Sequence, residues 1–265
     1  MSEKKKTGFE ALAKSELYPQ EQLMPVKKSK RSFFIGLPRE VSLQENRISL
    51  TPDAVALLVN NGHEVLVETM AGEGSKFSDK QYSEAGAKIV YSAEEVYKAD
   101  FILKIEPPTL EELEHFRPGQ TLISALQMGN LKQECINALL KKRVTALAYE
   151  FIEDKVGSMP IVRAMSEIAG STVMLIAAEY LSTVDKGKGI ILGGITGVPP
   201  TKVVIIGAGT VAEYAARAAL SLGAEIQVFD NHLYKLRRIK HTLGHQFYTS
   251  TIDTITLSES LQNAD

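Results

Sequence analysis

Cysteine is nearly absent from this sequence: Cys135 is the only one in 265 residues. A single thiol forms no intrachain disulfide, so packing must hold the fold, and a reducing, cytoplasmic setting fits. Long apolar runs are missing as well. None approaches the roughly 18 residues of a membrane span. Lys4, Lys5 and Lys6 lead into mixed polar sequence rather than the apolar stretch of a secretory signal. Neither sign of charge is in excess. Lys plus Arg number 30 against 32 acidic residues, a net charge of −2, which argues against the phosphate-neutralising surface that nucleic-acid binding uses. There is no internal repeat and no Gly-x-Ser-x-Gly elbow, and Cys135 has no obvious base near it, so nucleophilic catalysis is not indicated. His63, His115, His232, His241 and His245 show no zinc-ligand spacing. His241 and His245 stand one helical turn apart, but Gly244 lies between them and no third ligand is near, so no metal site is expected.

What is present is the material of a soluble α/β protein. Hydrophobic residues are 44% and charged residues 23%, ordinary values for a chain that buries a core of one large domain or two smaller ones. Residues 1–31 form a separate charged zone, read as a flexible arm or short amphipathic helix, with a basic docking tail as the alternative. From Ser32 onward short apolar runs at 33–37, 64–68, 87–90, 100–104, 120–124 and 144–148 read as strands. Helix-like segments near 52–61, 79–85, 93–98, 109–116 and 131–142 separate them. Strand, helix, strand in alternation means parallel strands joined by crossovers. Gly62 and Gly86 stand where helices end. This gives a first domain over 32–160. Apolar residues from Ile161 to Tyr180 then recur at helical spacing. With the glycines at 187, 189, 193, 194 and 197 and Pro199-Pro200, they make a long connecting helix and linker over 161–200. The same glycines offer a phosphate cradle as an alternative, but no helix start follows them directly.

The strongest chemical signal lies at 203–230. Val203-Val204-Ile205-Ile206 is a buried-strand run, followed at once by Gly207-Ala208-Gly209-Thr210-Val211-Ala212. Gly207 permits the tight turn, Gly209 lets backbone approach a pyrophosphate, and Ala212 keeps the next helix close to the sheet. That helix's first N–H groups and its dipole suit phosphate. A second strand, 225–229, ends in Asp230, where a carboxylate can accept ribose hydroxyls. The acid favours NAD over NADP, although Lys235 and Arg237 follow closely. Residues 201–265 therefore read as the first half of a Rossmann dinucleotide-binding domain.

With these pieces the chain resembles the alanine dehydrogenase and nicotinamide nucleotide transhydrogenase family. Gly36-Leu37-Pro38-Arg39-Glu40 opens the first domain as in that family, and Glu45-Asn46-Arg47 through Thr51-Pro52 looks like its E-x-R-V-x-x-T-P motif. Ala71-Gly72-Glu73-Gly74-Ser75, Ile102-Leu103-Lys104 and Met165 to Gly170 match further. The resemblance implies a substrate domain, an NAD domain, a homo-oligomer, and oxidative deamination of L-alanine to pyruvate and ammonia. By analogy Arg47 and Lys104 hold the carboxylate and carbonyl oxygen of a small 2-oxo acid, which suits a guanidinium fork and an ammonium. Ser166, Thr210 and Lys235 become NAD contacts, with a helix N-cap as the other reading of Ser166.

Two departures set the expectations apart from that family. Alanine dehydrogenases carry a proton-transferring histidine in the segment occupied here by Leu126 to Gly129, where this chain has Gln127. Glutamine orients a substrate or a water but is no base near neutral pH. The family also continues well past the position of Asp265, so the chain is expected to be C-terminally truncated and weakly active. The alternatives are the NAD(H)-binding component of a transhydrogenase, whose relatives carry glutamine in that segment, and a non-catalytic nucleotide-binding fragment. The short 153–158 loop does not resemble the loop of that branch.

Overall fold

The computed structural model describes residues 32–265. The arm read over residues 1–31 lies outside the described residues. The chain divides into two compact units, one of residues 32–124 and 129–147, the other of 125–128 and 148–265.

The first unit alternates as the apolar runs require: β1 (Phe34–Leu37), α1 (Pro52–Asn60), β2 (Glu64–Glu68), α2 (Asp79–Glu84), β3 (Lys88–Val90), α3 (Ala93–Val96), β4 (Phe101–Leu103), α4 (Leu110–His115), β5 (Thr121–Ser124), α5 (Gln133–Lys141) and β6 (Thr145–Ala148). Local chemistry sets the boundaries. Thr51, Ser78, Ser92 and Thr109 each cap a helix with a side-chain oxygen, satisfying an N–H the helix leaves unpaired. Gly62 and Gly86 end two helices in the left-handed region, at φ +88° and +91°. Ile35, Leu37, Val65 and Val67 meet Val55 and Tyr82 in one core cluster. His63 closes the start of β2, its Nδ1 accepting from the Phe33 N–H at 3.2 Å.

The six strands run in the order β3-β2-β1-β4-β5-β6, and β1 is parallel to both β2 and β4. The order reverses between β1 and β4. At such a switch point the crossovers leave to opposite sides, which opens a crevice beyond the carboxyl ends of the strands.

The second unit holds α6 (Pro160–Leu181), β7 (Lys202–Ile206), α7 (Thr210–Ser221), β8 (Glu225–Phe229), α8 (Leu233–Leu243), β9 (Tyr248–Ser250) and α9 (Thr254–Gln262). Its three strands are parallel in the order β7-β8-β9. The strand β9 is not anticipated by the sequence reading. Met174, Ala208, Ala212, Ala215, Ile226, Val228 and Ile239 are among its buried core. Helix α6 starts at Pro160, so Ser166 sits in its interior and is not an N-cap. Among the described residues α6 alone is long and apolar enough to cross a membrane by length and composition. It also carries Arg163 and Glu167, paired at 3.0 Å. Gly170 meets α7 directly: an added Cβ would collide with Val211 O and lie 2.7 Å from Tyr214 Cβ. The glycine-rich stretch packs rather than hanging free. Leu192 is buried, and Thr201 Oγ1 accepts from Gly193 N–H at 2.6 Å.

Candidate functional site

Two constellations emerge, one in each unit. In the first, the chain leaving β1 carries Arg39 and Glu40, and the chain leaving β4 carries Lys104. Lys104 is 1% exposed. Its Nζ donates to Glu40 Oε2 at 3.1 Å and to Glu112 Oε1 at 2.6 Å. Glu40 also accepts from the Ile105 N–H at 2.6 Å, while Glu112 accepts from Tyr97 Oη at 3.1 Å and from the Thr109 N–H at 2.8 Å. Burial, and then the Glu112 charge, push the Tyr97 phenol far up, so it stays a neutral donor. This network ties the ends of β1 and β4 to α4. It leaves the Lys104 ammonium enclosed by carboxylates rather than facing open space.

Arg47 lies on the loop between β1 and α1. Glu45 grips it with Oε1 accepting from Nε at 2.8 Å and Oε2 from Nη2 at 2.6 Å. The guanidinium in turn holds the Glu45 carboxyl below its usual range. Glu106 Oε1 stands 3.9 Å from the same Nη2. The family-like motifs explain how the loop is held. Gly74 passes so close that a Cβ there would lie 2.7 Å from Asn46 O, and Ser75 Oγ donates to Asn46 O at 2.8 Å. Tyr82 Oη donates to Leu50 O at 2.8 Å. Thr51 caps α1, and Pro52 supplies the fixed φ of a first helical residue. A cavity of about 750 Å³ opens over this loop, bounded among others by Arg39, Glu40, Glu45, Arg47 and Glu68.

Gln127 belongs to the second unit. Its backbone is left-handed, at φ +46°, an uncommon conformation for a residue with a side chain. Glu150 holds it there: Oε1 accepts from the Leu126 N–H at 3.0 Å and the Gln127 N–H at 2.8 Å.

The β7–α7–β8 turn gathers Gly207, Gly209, Thr210, Ala212 and Asp230. Gly207 has φ +101°, which a side chain would strain, and a Cβ built at Gly207 or Gly209 would meet nothing within 4 Å. Gly209 begins α7 without any side-chain cap. Open space above two glycines and an uncapped helix start is a cradle that a diphosphate fits, with N–H groups and the positive dipole end towards it. Asp230, 6% exposed, closes the turn from β8. Its Oδ2 accepts from the Ala208 N–H at 2.8 Å, and its Oδ1 from the His232 N–H at 2.7 Å, with His232 Nδ1 at 2.9 Å. Burial alone would raise this carboxyl, but the His232 and Ala208 N–H groups, the His232 ring and Lys235 outweigh it and hold the pKa at about 2. Lys235 thus acts on Asp230 by charge. Ser166 lies one helical turn before Gly170, on the stripe of α6 that meets α7.

Three residues escape a reading of the sequence. Arg238, one of several basic residues on α8, donates from Nη2 to Ala208 O at 3.1 Å. Glu40 stands inside the Gly36–Glu40 motif and is the one that a signal marks. Glu106 has none beyond its place two residues after Lys104.

Taken together, these features define an α/β protein with a Rossmann-type βαβ turn and a crevice at a strand-order reversal. Residues 36–169 match the model for the alanine dehydrogenase/PNT N-terminal domain and residues 173–265 that for the C-terminal domain. The chain belongs to the alanine dehydrogenase/PNT family. It is 38% identical over 232 residues to an alanine dehydrogenase of Mycolicibacterium smegmatis, covering 87% of this chain and 62% of that protein. With an alanine dehydrogenase of Bacillus subtilis it shares 39% over 231 residues, 87% of this chain and 61% of the relative. A solved L-alanine dehydrogenase superimposes with a TM-score of 0.80 at 34% identity, over 87% of this chain and 63% of that one. A transhydrogenase from Sinorhizobium meliloti gives 0.74 at 26% identity, over 87% and 67%. The chain thus spans a little over three fifths of the curated relatives it matches.

Proposed function

We propose that this chain carries the substrate-binding and dinucleotide-binding elements of an NAD-dependent oxidoreductase, acting on L-alanine or a similarly small amino acid and its 2-oxo acid. The observation that carries this reading is the uncapped start of α7 above two open glycines, with Asp230 bonded into the same turn. The amides at the start of α7, beside Thr210, take the diphosphate. Asp230 accepts from a ribose hydroxyl, its negative charge disfavouring a 2′-phosphate. Ser166 and Lys235 border that site. When bound, the nicotinamide ring supplies the acceptor or donor of a hydride.

In the crevice Arg47 takes the substrate carboxylate. Lys104 acts at one remove, fixing Glu40 and the Ile105 backbone rather than touching the ligand. Gln127, in the second unit, is no base near neutral pH, so proton transfer is left to water.

A second reading draws on Gln127. Hydride exchange between two nicotinamides needs no proton-transferring side chain, so a transhydrogenase component would tolerate glutamine there. NADH titration by fluorescence separates the outcomes. Wild type should bind, Gly209→Val should not, and NADPH should bind more weakly than NADH. NADH formation with L-alanine then favours the dehydrogenase. Hydride exchange only with an added NADP-binding partner favours the second reading. No binding of NADH at millimolar concentration overturns both.

A further inference from the structure

The carboxylate of Asp230 is nearly filled where a ribose would need it. A carboxylate offers about four lone-pair places. Three are taken: Oδ2 accepts from the Ala208 N–H, and Oδ1 accepts from both the N–H and the ring of His232. The Asp230 side chain is only 8% exposed. A ribose presents two neighbouring hydroxyls, and Asp230 has room for one. Lys235, which acts on Asp230 by charge, carries only donors.

The group that stands open beside Asp230 is the imidazole of His232, 59% exposed. Its tautomer follows from its partner. Asp230 is held ionised and can only accept, so the proton between them sits on Nδ1, 2.9 Å away. Nε2 of the neutral ring is then an acceptor, and among the described residues nothing bonds to it. The His232 N–H on the same Oδ1 and the Tyr234 ring, edge-to-face with its centroid 5.8 Å away, hold the imidazole in place. A ribose hydroxyl can donate to such an atom. A 2′-phosphate brings only acceptor oxygens, so lone pair would meet lone pair. We propose that His232 is a cofactor-binding residue that sets the preference for an unphosphorylated ribose: Nε2 accepts from one ribose hydroxyl, while Asp230 accepts from the other and fixes the ring. The inference rests on the reading of the β7–α7–β8 turn as the dinucleotide site.

The experiment titrates the full 265-residue chain with NADH and NADPH by fluorescence at about pH 8. His232→Asn keeps an amide where Nδ1 stands and leaves nothing where Nε2 stands; His232→Gln does the reverse. Melting curves check that each variant is folded. Wild type should bind NADH. His232→Asn should weaken NADH by about fivefold or more, the loss of one hydrogen bond, and should narrow the gap between NADH and NADPH. His232→Gln should stay closer to wild type. A merely structural role, holding Asp230 in place, would give the opposite order. The inference is wrong, and the dinucleotide reading stands, if His232→Gln loses at least as much NADH affinity as His232→Asn or if neither variant changes it. An NADH-to-NADPH gap left unchanged in His232→Asn overturns it equally. If wild type binds no NADH, the dinucleotide reading fails and takes the inference with it.

Discussion

Replacing Lys104 by methionine tests the architecture of the crevice most severely. Methionine nearly matches the lysine stem in length, so the change removes the charge and little volume. The ammonium bridges Glu40 and Glu112, whose side chains are only 5% and 9% exposed. Without it two buried carboxylates face each other, and the donors that remain to them are the Ile105 and Thr109 N–H groups and the Tyr97 hydroxyl. Removing one partner of a buried pair costs about 3–5 kcal/mol, because the other charge is left uncompensated. For the first unit, of about 110 residues, that corresponds to a fall of roughly 10 °C or more in melting temperature. The two units need not unfold together. The assay is therefore urea denaturation read by hydrogen exchange at β1 and β4. The double variant Lys104→Met/Glu112→Gln should recover part of the loss, since it deletes one of the orphaned charges. A single-variant cost below about 1 kcal/mol, the range of an exposed pair, would refute the reasoning. It would return Lys104 to the role of a substrate-facing cation.

Other outcomes follow from local geometry. Thr51→Ala should lower stability by about 0.5–1 kcal/mol in urea, since its hydroxyl caps α1 at 3.4 Å; no change would mean that Pro52 alone defines the helix start. Gly170→Ala gains roughly 1 kcal/mol of helix propensity elsewhere, but here the added methyl collides with Val211 O. A net loss of about 1–3 kcal/mol is expected, and a stabilised variant would show that α6 and α7 pack more loosely. The Asp230 carboxyl is held at about 2 against a usual 3.8. Because its folded value is depressed, its stabilising contribution is fully present above about pH 4 and is lost as the pH falls through 2. The stability gap between wild type and Asp230→Asn should close over that window, and a gap flat with pH would contradict the assignment.

Much of the framework can be read along the chain because local chemistry specifies it. The six strands of the first unit fall on short, largely apolar runs, and the capping residues Thr51, Ser78 and Thr109 stand immediately before the helices they start. The Gly207–Ala212 turn is equally local, which is why its shape follows from six consecutive residues. What escapes is set by long-range partners. Lys104 looks like a strand-end cation until Glu40, 64 residues earlier, encloses it. Gln127 owes its left-handed backbone to Glu150, 23 residues away. Strand β9 is Tyr-Thr-Ser, with no apolar run, and exists because β8 offers it a register. Arg238 is one of several basic residues on α8, and only the fold brings it to Ala208 O.

The central claim is that a diphosphate sits against the amides at the start of α7. Amide chemical shifts of the isotopically labelled chain, recorded as NADH is titrated in, test it most directly. The resonances of Gly209, Thr210, Val211 and Ala212 should move together and saturate, with Asp230 and His232 following as the ribose engages. Saturable changes confined to other surfaces, with the 207–212 amides unmoved, would contradict the account.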